Sequence, residues 1–227
     1  MVQQKHFGES AEMYLKSIAE LSAERRPVPV TSIAGRLGIA TVSASEMIHR
    51  LQDRGLVEHT PYKGVHLTQE GTRRANIVIR RHRLWECLLV DKLEIPWERV
   101  HEYACRLEHA TDEEVIDALG IYLDQPKTCP HGNPIPSPEG EMPPMEGVSL
   151  VDLTAGEAGK VLRILPEDDY DILCGYLAAR GIKPGVTVAV EEIAPFEGPI
   201  SVRLGEEIHA LGRRIAAHVV VEKRVPV

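Results

Sequence analysis

Four potential metal ligands fall within nine residues of this sequence: His101, Cys105, Glu108 and His109. An α-helix turns about 100° per residue, so a helix through this run would place all four side chains on one narrow face. Imidazole, thiolate and carboxylate groups together suit a transition metal better than Ca²⁺ or Mg²⁺, which prefer oxygen ligands alone. The simpler alternative is a polar helix face that carries two histidines by chance.

A second pair of ligand-type residues precedes this run. His82 and Glu86 are four residues apart, and this spacing places both on one face of a helix. Two such helices close together in sequence favour a metal site over a chance arrangement. A metalloenzyme with an open coordination position for water is an alternative. The sequence has no His-Glu-x-x-His motif and no identifiable general base, so we expect a protein that is not an enzyme.

Composition limits the class of protein. The chain has 227 residues, of which 43% are hydrophobic, as is ordinary for globular domains. No apolar run can span a bilayer and no signal segment opens the sequence, so we expect a cytoplasmic protein without a membrane partner. The four cysteines form no Cys-x-x-Cys pair, which favours buried or metal-binding thiols over disulfides.

The charge is unevenly distributed. Residues 1–83 contain 13 Lys and Arg against 8 Asp and Glu, a net charge of +5. The other 144 residues contain 13 against 26, a net charge of −13, which gives the whole chain its −8. A basic amino-terminal third permits an interaction with DNA even though the rest of the chain is acidic.

The first 76 residues follow the pattern of a winged helix-turn-helix, in which two helices joined by a glycine-containing turn precede a hairpin. The predicted order is a helix begun by Ser10, a helix over 31–37, a helix over 43–54 begun by Thr41 or Ser43, two strands within 55–68, and a helix begun at Thr68. A helical domain that binds a protein is the alternative, because some helix-turn-helix units never contact DNA.

The third of these helices would be the recognition helix. Small residues at its start would allow close approach to a DNA groove, and the N–H groups there can bind phosphates. Its exposed side is predicted to carry Ser43, Ala44, Glu46, His49 and Arg50, and phosphate contacts are expected from Arg50, Arg54 and Lys63. The full set of expected DNA-binding residues is Thr41, Ser43, Ser45, Glu46, Arg50 and Lys63.

The rest of the chain divides by composition. Residues 77–125 are predicted to be helical and contain both ligand clusters, whereas 126–147 include seven prolines and predict a linker that lets its flanking parts move. Residues 148–227 predict a small SH3-like barrel of five strands and one helix. The strands are expected at 148–153, 159–165, 187–193, 200–204 and 217–222, and the helix at 169–180.

Four motifs occur in an order that identifies a known family. They are Ala11-Glu12-Met13-Tyr14-Leu15-Lys16-Ser17-Ile18, Arg81-His82-Arg83-Leu84-Trp85-Glu86, Val100-His101-Glu102-Tyr103-Ala104-Cys105-Arg106-Leu107-Glu108-His109 and His131-Gly132-Asn133-Pro134-Ile135-Pro136. With them the chain resembles, over essentially its whole length, the diphtheria toxin repressor family of metal-dependent transcriptional repressors. The predicted fold is therefore mixed α/β (α+β), with a winged helix-turn-helix domain at 1–76, a helical metal-binding and dimerisation domain with a Pro-rich linker at 77–147, and an SH3-like (FeoA-like) β-barrel domain at 148–227.

The resemblance implies two metal sites per subunit. The regulatory site would use Met13, Cys105, Glu108 and His109. The ancillary site would use His82, Glu86 and His101, with Glu167 and Asp168 as further ligands from the barrel. Arg83 and Asn133 match residues that bind an anion beside the ancillary site in some members, whereas Cys129 departs from a serine found in at least one.

The resemblance also implies a function. The protein is expected to repress genes of metal-ion homeostasis as a homodimer that binds an inverted-repeat operator in double-stranded DNA, with Fe²⁺ or Mn²⁺ as corepressor. Met13 and Cys105 are soft ligands that favour iron, and manganese stays open because availability also selects the metal. A metal-independent winged-helix regulator and a metal-buffering protein are the alternatives.

Overall fold

The computed structural model describes residues 8–22, 26–167 and 169–224. The chain divides into two compact units, each considered separately below. The first unit comprises Met1–His82, Leu107–Asp117 and Pro136–Pro143, and the second comprises Arg83–Arg106, Ala118–Ile135 and Pro144–Val227. Within the described residues, no helix has the length and apolar character needed to cross a membrane.

The first unit begins with the predicted three helices. They are α1 (Glu9–Leu21), α2 (Val30–Arg36) and α3 (Thr41–Asp53). The prediction that Ser10 caps α1 is wrong, because Gly8 occupies the N-cap and no side chain caps this helix. Fully buried aliphatic residues from the three helices form one core, to which Leu15, Ile18, Ile33, Ile48 and Leu51 contribute.

The wing follows the helices as an antiparallel hairpin of β1 (Val57–Thr60) and β2 (Gly64–Leu67). Val28 anchors this hairpin, because its N–H donates to the Val65 carbonyl at 3.0 Å and its carbonyl accepts from the Val65 N–H at 2.9 Å. The hairpin passes close to the Val28 backbone at Gly64. The φ of Gly64 is +128°, and an added Cβ would lie 2.6 Å from the Val28 carbonyl oxygen. The hairpin is therefore anchored to the segment that precedes α2.

Three helices follow the wing: α4 (Gln69–Asp91), α5 (His101–Leu107) and α6 (Glu113–Tyr122). The predicted ligands His82 and Glu86 lie on α4, and His101 and Cys105 lie on α5. A short 3-10 turn at Trp97–Arg99 precedes α5. The Thr68 hydroxyl accepts from the Gly71 N–H at 3.0 Å and so caps the start of α4, where the sequence predicts a helix start. The helix α4 is continuous, and the division between the units falls within it, after His82.

Gly71→Ala is expected to destabilise the first unit by about 2 kcal/mol, although alanine is the better helix former. The reason is contact: a Cβ at Gly71 would lie 1.9 Å from the Leu56 carbonyl oxygen. Gly35→Ala in α2 is the matched control, because a Cβ there meets nothing within 4 Å, and it should stabilise by about 0.5–1 kcal/mol. Urea unfolding of both variants tests the pair, and equal shifts would contradict the prediction.

The second unit contains a six-stranded antiparallel sheet in the order β3-β8-β4-β5-β6-β7. Its strands are β3 (Val148–Ser149), β4 (Ala158–Ile164), β5 (Thr187–Ile193), β6 (Ile200–Leu204), β7 (Glu207–Leu211) and β8 (Val219–Arg224). Two helices, α7 (Tyr170–Ala178) and α8 (Arg213–Ala217), accompany them. The sequence prediction missed β7 and α8, and it gave a strand to Leu150–Asp152, which is a 3-10 turn.

A tight loop from the Pro-rich region lies against β4 in this unit. Thr128 and Pro134 form an isolated bridge, and the Ile164 N–H donates to the His131 carbonyl at 2.9 Å. Gly132 makes the close approach possible, since its φ is +81° and a Cβ would lie 1.9 Å from the Leu162 carbonyl oxygen. The loop is thus an ordered structural element, and it brings buried polar side chains beside the barrel.

Candidate metal centres and DNA-binding surface

The first candidate cluster lies in the first unit, where Glu108 and His109 follow the end of α5. The predicted single helical face from His101 to His109 is wrong, because α5 ends at Leu107. Its last carbonyl accepts from the Thr111 hydroxyl at 2.7 Å and from the Ala110 N–H at 3.2 Å, which closes the helix. Glu108 and His109 therefore occupy the turn that follows the helix.

Glu108 is a buried carboxylate surrounded by cationic groups. Its Oε2 accepts from the Lys16 ammonium at 2.7 Å and lies 2.6 Å from His82 Nδ1. Its Oε1 lies 3.2 Å from His109 Nε2. Burial alone would raise the pKa of Glu108, but the charges of Lys16 and His82 hold it well below its usual range. The carboxylate is therefore ionised at neutral pH.

His109 extends this network to α1. Its Nδ1 lies 2.8 Å from Glu12 Oε2, and the other Glu12 oxygen accepts from Arg81 at 3.2 Å. Arg81 also pairs with Glu113. Burial disfavours the imidazolium, but hydrogen bonds with Glu108 and Glu12 raise the pKa of His109 to about 9. Cations and anions alternate through the cluster, so each buried charge has a partner of opposite sign.

The predicted ligand Met13 lies elsewhere on α1. Its side chain is 41% exposed and lines a groove of about 340 Å³, together with residues that include Leu37 and Ile39. Two other α1 residues, Glu12 and Lys16, contact His109 and Glu108 instead. They are four residues apart and share a face of the helix, whereas Met13 is rotated by about 100° from Glu12.

The second candidate cluster lies in the second unit and consists of Glu86, Cys129 and His131. All three are buried, and their ligand-type oxygen, sulfur and nitrogen atoms lie within 4.8 Å of one another. Glu86 comes from α4, and the other two come from the loop that lies against β4. His131 Nδ1 lies 3.1 Å from Glu86 Oε1 and 3.9 Å from Cys129 Sγ.

The orientation of His131 suits metal binding. Its Nε2–H donates to the Trp97 carbonyl at 2.9 Å, which directs Nδ1 toward Glu86 and Cys129. A backbone acceptor on the distal nitrogen is the usual arrangement for a metal-binding histidine, because it fixes the tautomer and the ring. One nitrogen, one sulfur and one carboxylate oxygen, all from buried residues, fit a divalent transition metal.

Metal binding at the second cluster is expected to release about two protons per ion at pH 7.5. Burial raises the pKa of Cys129 to about 11. Burial opposes the His131 imidazolium, but the Glu86 carboxylate raises its pKa to about 10. Both groups are therefore protonated before they bind a metal. Calorimetry in buffers of different ionisation enthalpy measures the release, and Cys129→Ser should lower it to about one.

The raised pKa of His131 also makes the free energy of unfolding of the metal-free chain depend on pH. The pKa of His131 in the folded chain exceeds its value of about 6.5 in the unfolded chain. The ion pair between His131 and Glu86 therefore makes its full contribution to the stability of the folded state below pH about 6.5. The contribution is lost as pH rises through about 10. Unfolding by urea at pH 7 and pH 10 should therefore differ less in His131→Gln than in the parent chain.

The remaining predicted ligands are distributed as follows. His101 and Cys105 belong to the second unit. The distance from Cys105 Sγ to His101 Nε2 is 3.6 Å, and His101 Nδ1 lies 3.8 Å from Glu86 Oε1. The His101 ring stacks edge-on against Tyr170. Glu167 pairs with Arg214 and His218, at 2.7 and 2.8 Å. Asp168 lies outside the described residues.

The two predicted anion-binding residues are both buried in the second unit. Arg83 donates to the Pro134 carbonyl, and Asn133 donates to the Ile164 carbonyl at 2.7 Å. The same Ile164 carbonyl accepts from the Tyr170 hydroxyl at 2.8 Å. Both residues thus hold the loop that carries Cys129 and His131.

The expected DNA-contacting residues lie in the first unit, on α3 and the wing. Thr41, Ser43, Glu46 and Arg50 are exposed, Ser45 is half-buried, and Lys63 is exposed at the turn of the wing. The prediction that Ala44 is exposed is wrong, because Ala44 is fully buried in the core. Ser43, Glu46 and Arg50 follow the helical repeat along one side of α3, which leaves that side open to a groove.

Four residues of the two clusters were missed as site residues: Lys16, Glu12, Cys129 and His131. Lys16 and Glu12 belong to an amphipathic helix, where charged residues are normally solvated, and nothing in the spacing signals their burial. Cys129 and His131 offered a signal, since a Cys-Pro-His run followed by glycine places two ligand types in one turn.

A chain that contains both a winged helix-turn-helix and buried transition-metal donor sets is defined as a DNA-binding protein of the metal-responsive kind. Residues 6–65 match the family described as "Iron dependent repressor, N-terminal DNA binding domain". Residues 68–137 match "Iron dependent repressor, metal binding and dimerisation domain", and 148–223 match "FeoA domain". The chain belongs to the iron-dependent repressor family, which includes the diphtheria toxin repressors.

Individual relatives agree with this assignment. The chain is 36% identical over 226 residues to the iron-dependent repressor IdeR of Mycobacterium tuberculosis, covering 95% of this chain and 97% of that protein. It is 34% identical over 197 residues to the diphtheria toxin repressor of Corynebacterium efficiens, covering 82% and 84%. Among solved structures, a manganese-dependent transcriptional repressor in complex with manganese matches with a TM-score of 0.84 and 33% identity, covering 93% of this chain and 99% of that chain.

Proposed function

We propose that this protein is a transcriptional repressor that binds its operator when Fe²⁺ or Mn²⁺ is bound, and that it controls genes of metal-ion homeostasis. One observation supports this most directly. Within the first unit, Glu12 and Lys16 of α1 contact the candidate ligands His109 and Glu108. Because α1 also forms the core of the winged helix, a change at Glu108 acts directly on the DNA-binding fold.

The proposed mechanism follows from these contacts. Glu108 and His109 would hold the metal, which would supply a divalent positive charge beside the Glu108 carboxylate. Glu108 and His109 would then give up their contacts with Lys16 and Glu12 of α1 to become ligands. The packing of α1 against α3 would change as a result. Glu46 and Arg50 on α3 contact DNA in the favoured posture. By linkage, the metal raises DNA affinity only as far as it binds that posture more tightly.

Two metal sites per subunit are part of the proposal. The regulatory site contains Glu108 and His109, with Met13 and Cys105 as the soft ligands implied by the family. The second site contains Glu86, with His82 and His101 implied by the family and with Glu167 and Asp168 as further ligands from the barrel. The cluster geometry adds Cys129 and His131 to this second site. The anion-binding role of Arg83 and Asn133 also stays a proposal.

The DNA contacts and the homodimer complete the proposal. Thr41, Ser43, Ser45, Glu46, Arg50 and Lys63 are the proposed contact residues. One helix supports the dimer, because α6 carries an exposed apolar stripe at helical spacing, formed by Val115, Ala118, Ile121 and Tyr122. A stripe of this kind is usually covered by another chain. A symmetric dimer presents two recognition helices about one DNA turn apart, so the operator would be an inverted repeat. We propose the cytoplasm as the place of action, because a repressor acts where the DNA is.

Fluorescence anisotropy with DNA from the region upstream of the protein's own gene tests the function. Binding is measured at one salt concentration in chelator, and then with Mn²⁺, Zn²⁺ or anaerobic Fe²⁺. Binding that requires metal supports the repressor, and the most effective metal identifies the corepressor. Equal binding in chelator and in metal would overturn the metal dependence and favour a metal-independent regulator.

A further inference from the structure

A buried lysine occupies the position of a cation in the first cluster. The Lys16 side chain is 9% exposed, and its ammonium lies 2.7 Å from Glu108 Oε2 and 3.0 Å from His82 Nδ1. A carboxylate oxygen and an imidazole nitrogen are the atoms that a divalent transition metal would bind. The ammonium therefore contacts a donor oxygen of the proposed regulatory site, Glu108 Oε2, and also His82, which the family assigns to the second site.

The surroundings of Lys16 explain why it is tolerated there. Glu108 is 2% exposed, and a buried carboxylate without a cationic partner is costly. Arg81 neutralises other carboxylates, those of Glu12 and Glu113, and so leaves Glu108 to Lys16 and the neighbouring imidazoles. The lysine thus satisfies Glu108 in the metal-free chain and keeps the carboxylate ionised and fixed.

The same charge opposes a metal. A unit positive charge within about 4 Å of a divalent ion repels it strongly enough to change affinity by more than tenfold at the dielectric typical of proteins. Lysine has a flexible four-carbon stem, so its ammonium can leave while the stem stays packed. Displacement of the ammonium costs its ion pair with Glu108, and this cost is subtracted from the metal affinity.

We propose that Lys16 is a built-in competitor that raises the metal concentration needed to occupy the Glu108 site. Its ammonium moves away from Glu108 when a metal binds. The inference rests on the proposed function, since it assumes that Glu108 is a ligand. It adds a residue that sets the threshold of the response, and that residue is not itself a ligand.

The test is the affinity of the full chain for Mn²⁺, measured by competition with a fluorescent chelator in a Cys129→Ser background that weakens the other cluster. Lys16→Met preserves the length of the stem and removes the charge, and it should tighten Mn²⁺ binding at least about tenfold. Lys16→Arg is the matched control that keeps the charge, and its affinity should stay within about threefold of the parent. Unchanged or weaker binding in Lys16→Met would overturn the proposal.

A second measurement uses the parent chain, in case Lys16→Met does not fold. Acylation of lysines is followed by mass spectrometry with and without Mn²⁺, and exposed Lys63 is the internal reference. Lys16 should be protected in chelator and should react faster with Mn²⁺. If the chain binds Mn²⁺ but the acylation rate of Lys16 does not change, the competitor role of Lys16 is overturned and the proposed function is not. Failure of the parent chain to bind both Mn²⁺ and anaerobic Fe²⁺ would overturn the proposed function as well.

Discussion

Glu108→Gln is expected to remove the response of DNA binding to metal. Glutamine has nearly the shape of glutamate, but it lacks the charge that a divalent ion and the Lys16 ammonium both require. Changes one shell away from a metal cost 10–100-fold in affinity, so loss of the ligand itself should cost at least about 100-fold. Operator affinity with Mn²⁺ should then equal that of the parent chain in chelator.

The control for this prediction is Glu114→Gln, a change of the same chemistry at an exposed position on α6. It should leave both the metal affinity and the operator affinity unchanged. Circular dichroism and urea unfolding establish that Glu108→Gln remains folded. A folded Glu108→Gln chain that still binds the operator only with metal would show that Glu108 is not a regulatory ligand.

Ile121→Glu is expected to dissociate the proposed homodimer. Ile121 is 70% exposed on the apolar stripe of α6, beside Tyr122 at 64%. A carboxylate buried twice at a symmetric interface has no partner there, so the dimer dissociation constant should rise at least about 100-fold. Sedimentation velocity measures the change, and operator binding at low protein concentration should be lost with it.

Ile172→Glu provides the comparison. Ile172 is 72% exposed, but it lies on α7 beside the barrel rather than on the stripe of α6. The two changes introduce the same charge at sites of equal exposure, so general effects on solubility cancel. If both variants sediment as the parent chain does, the stripe on α6 is not the interface.

The winged helix was predictable because local signals agree along its sequence. Gly38 ends one helix and Gly55 precedes the wing, both with positive φ, and apolar residues recur at helical spacing between them. Where two signals compete, prediction fails. Ala44 is small and has polar neighbours in the sequence, which suggests an exposed position. Its spacing of four residues from Ile48 on α3 indicates the core instead, and Ala44 is buried there.

The candidate metal site was predictable in residue types but only partly in geometry. Helical spacing assumes that the helix continues, and α5 ends at Leu107 because Thr111 caps its last carbonyl. The roles of Lys16 and Glu12 depend on contacts across 92 and 97 residues of sequence, which no local pattern encodes. The strand β7 was missed because Glu207 and His209 dilute its apolar character, although it pairs with β6 over five residues.

The unequal burial of the cysteines makes the chain selective toward thiol reagents. Cys87, Cys129 and Cys174 are buried, whereas Cys105 is only half-buried on α5. Burial raises the pKa of Cys87 to about 12 and also raises those of Cys129 and Cys174, so little thiolate exists at these positions. A maleimide dye or a mild oxidant therefore reaches Cys105 first, and the native sequence needs no engineered cysteine to carry one fluorophore beside His101.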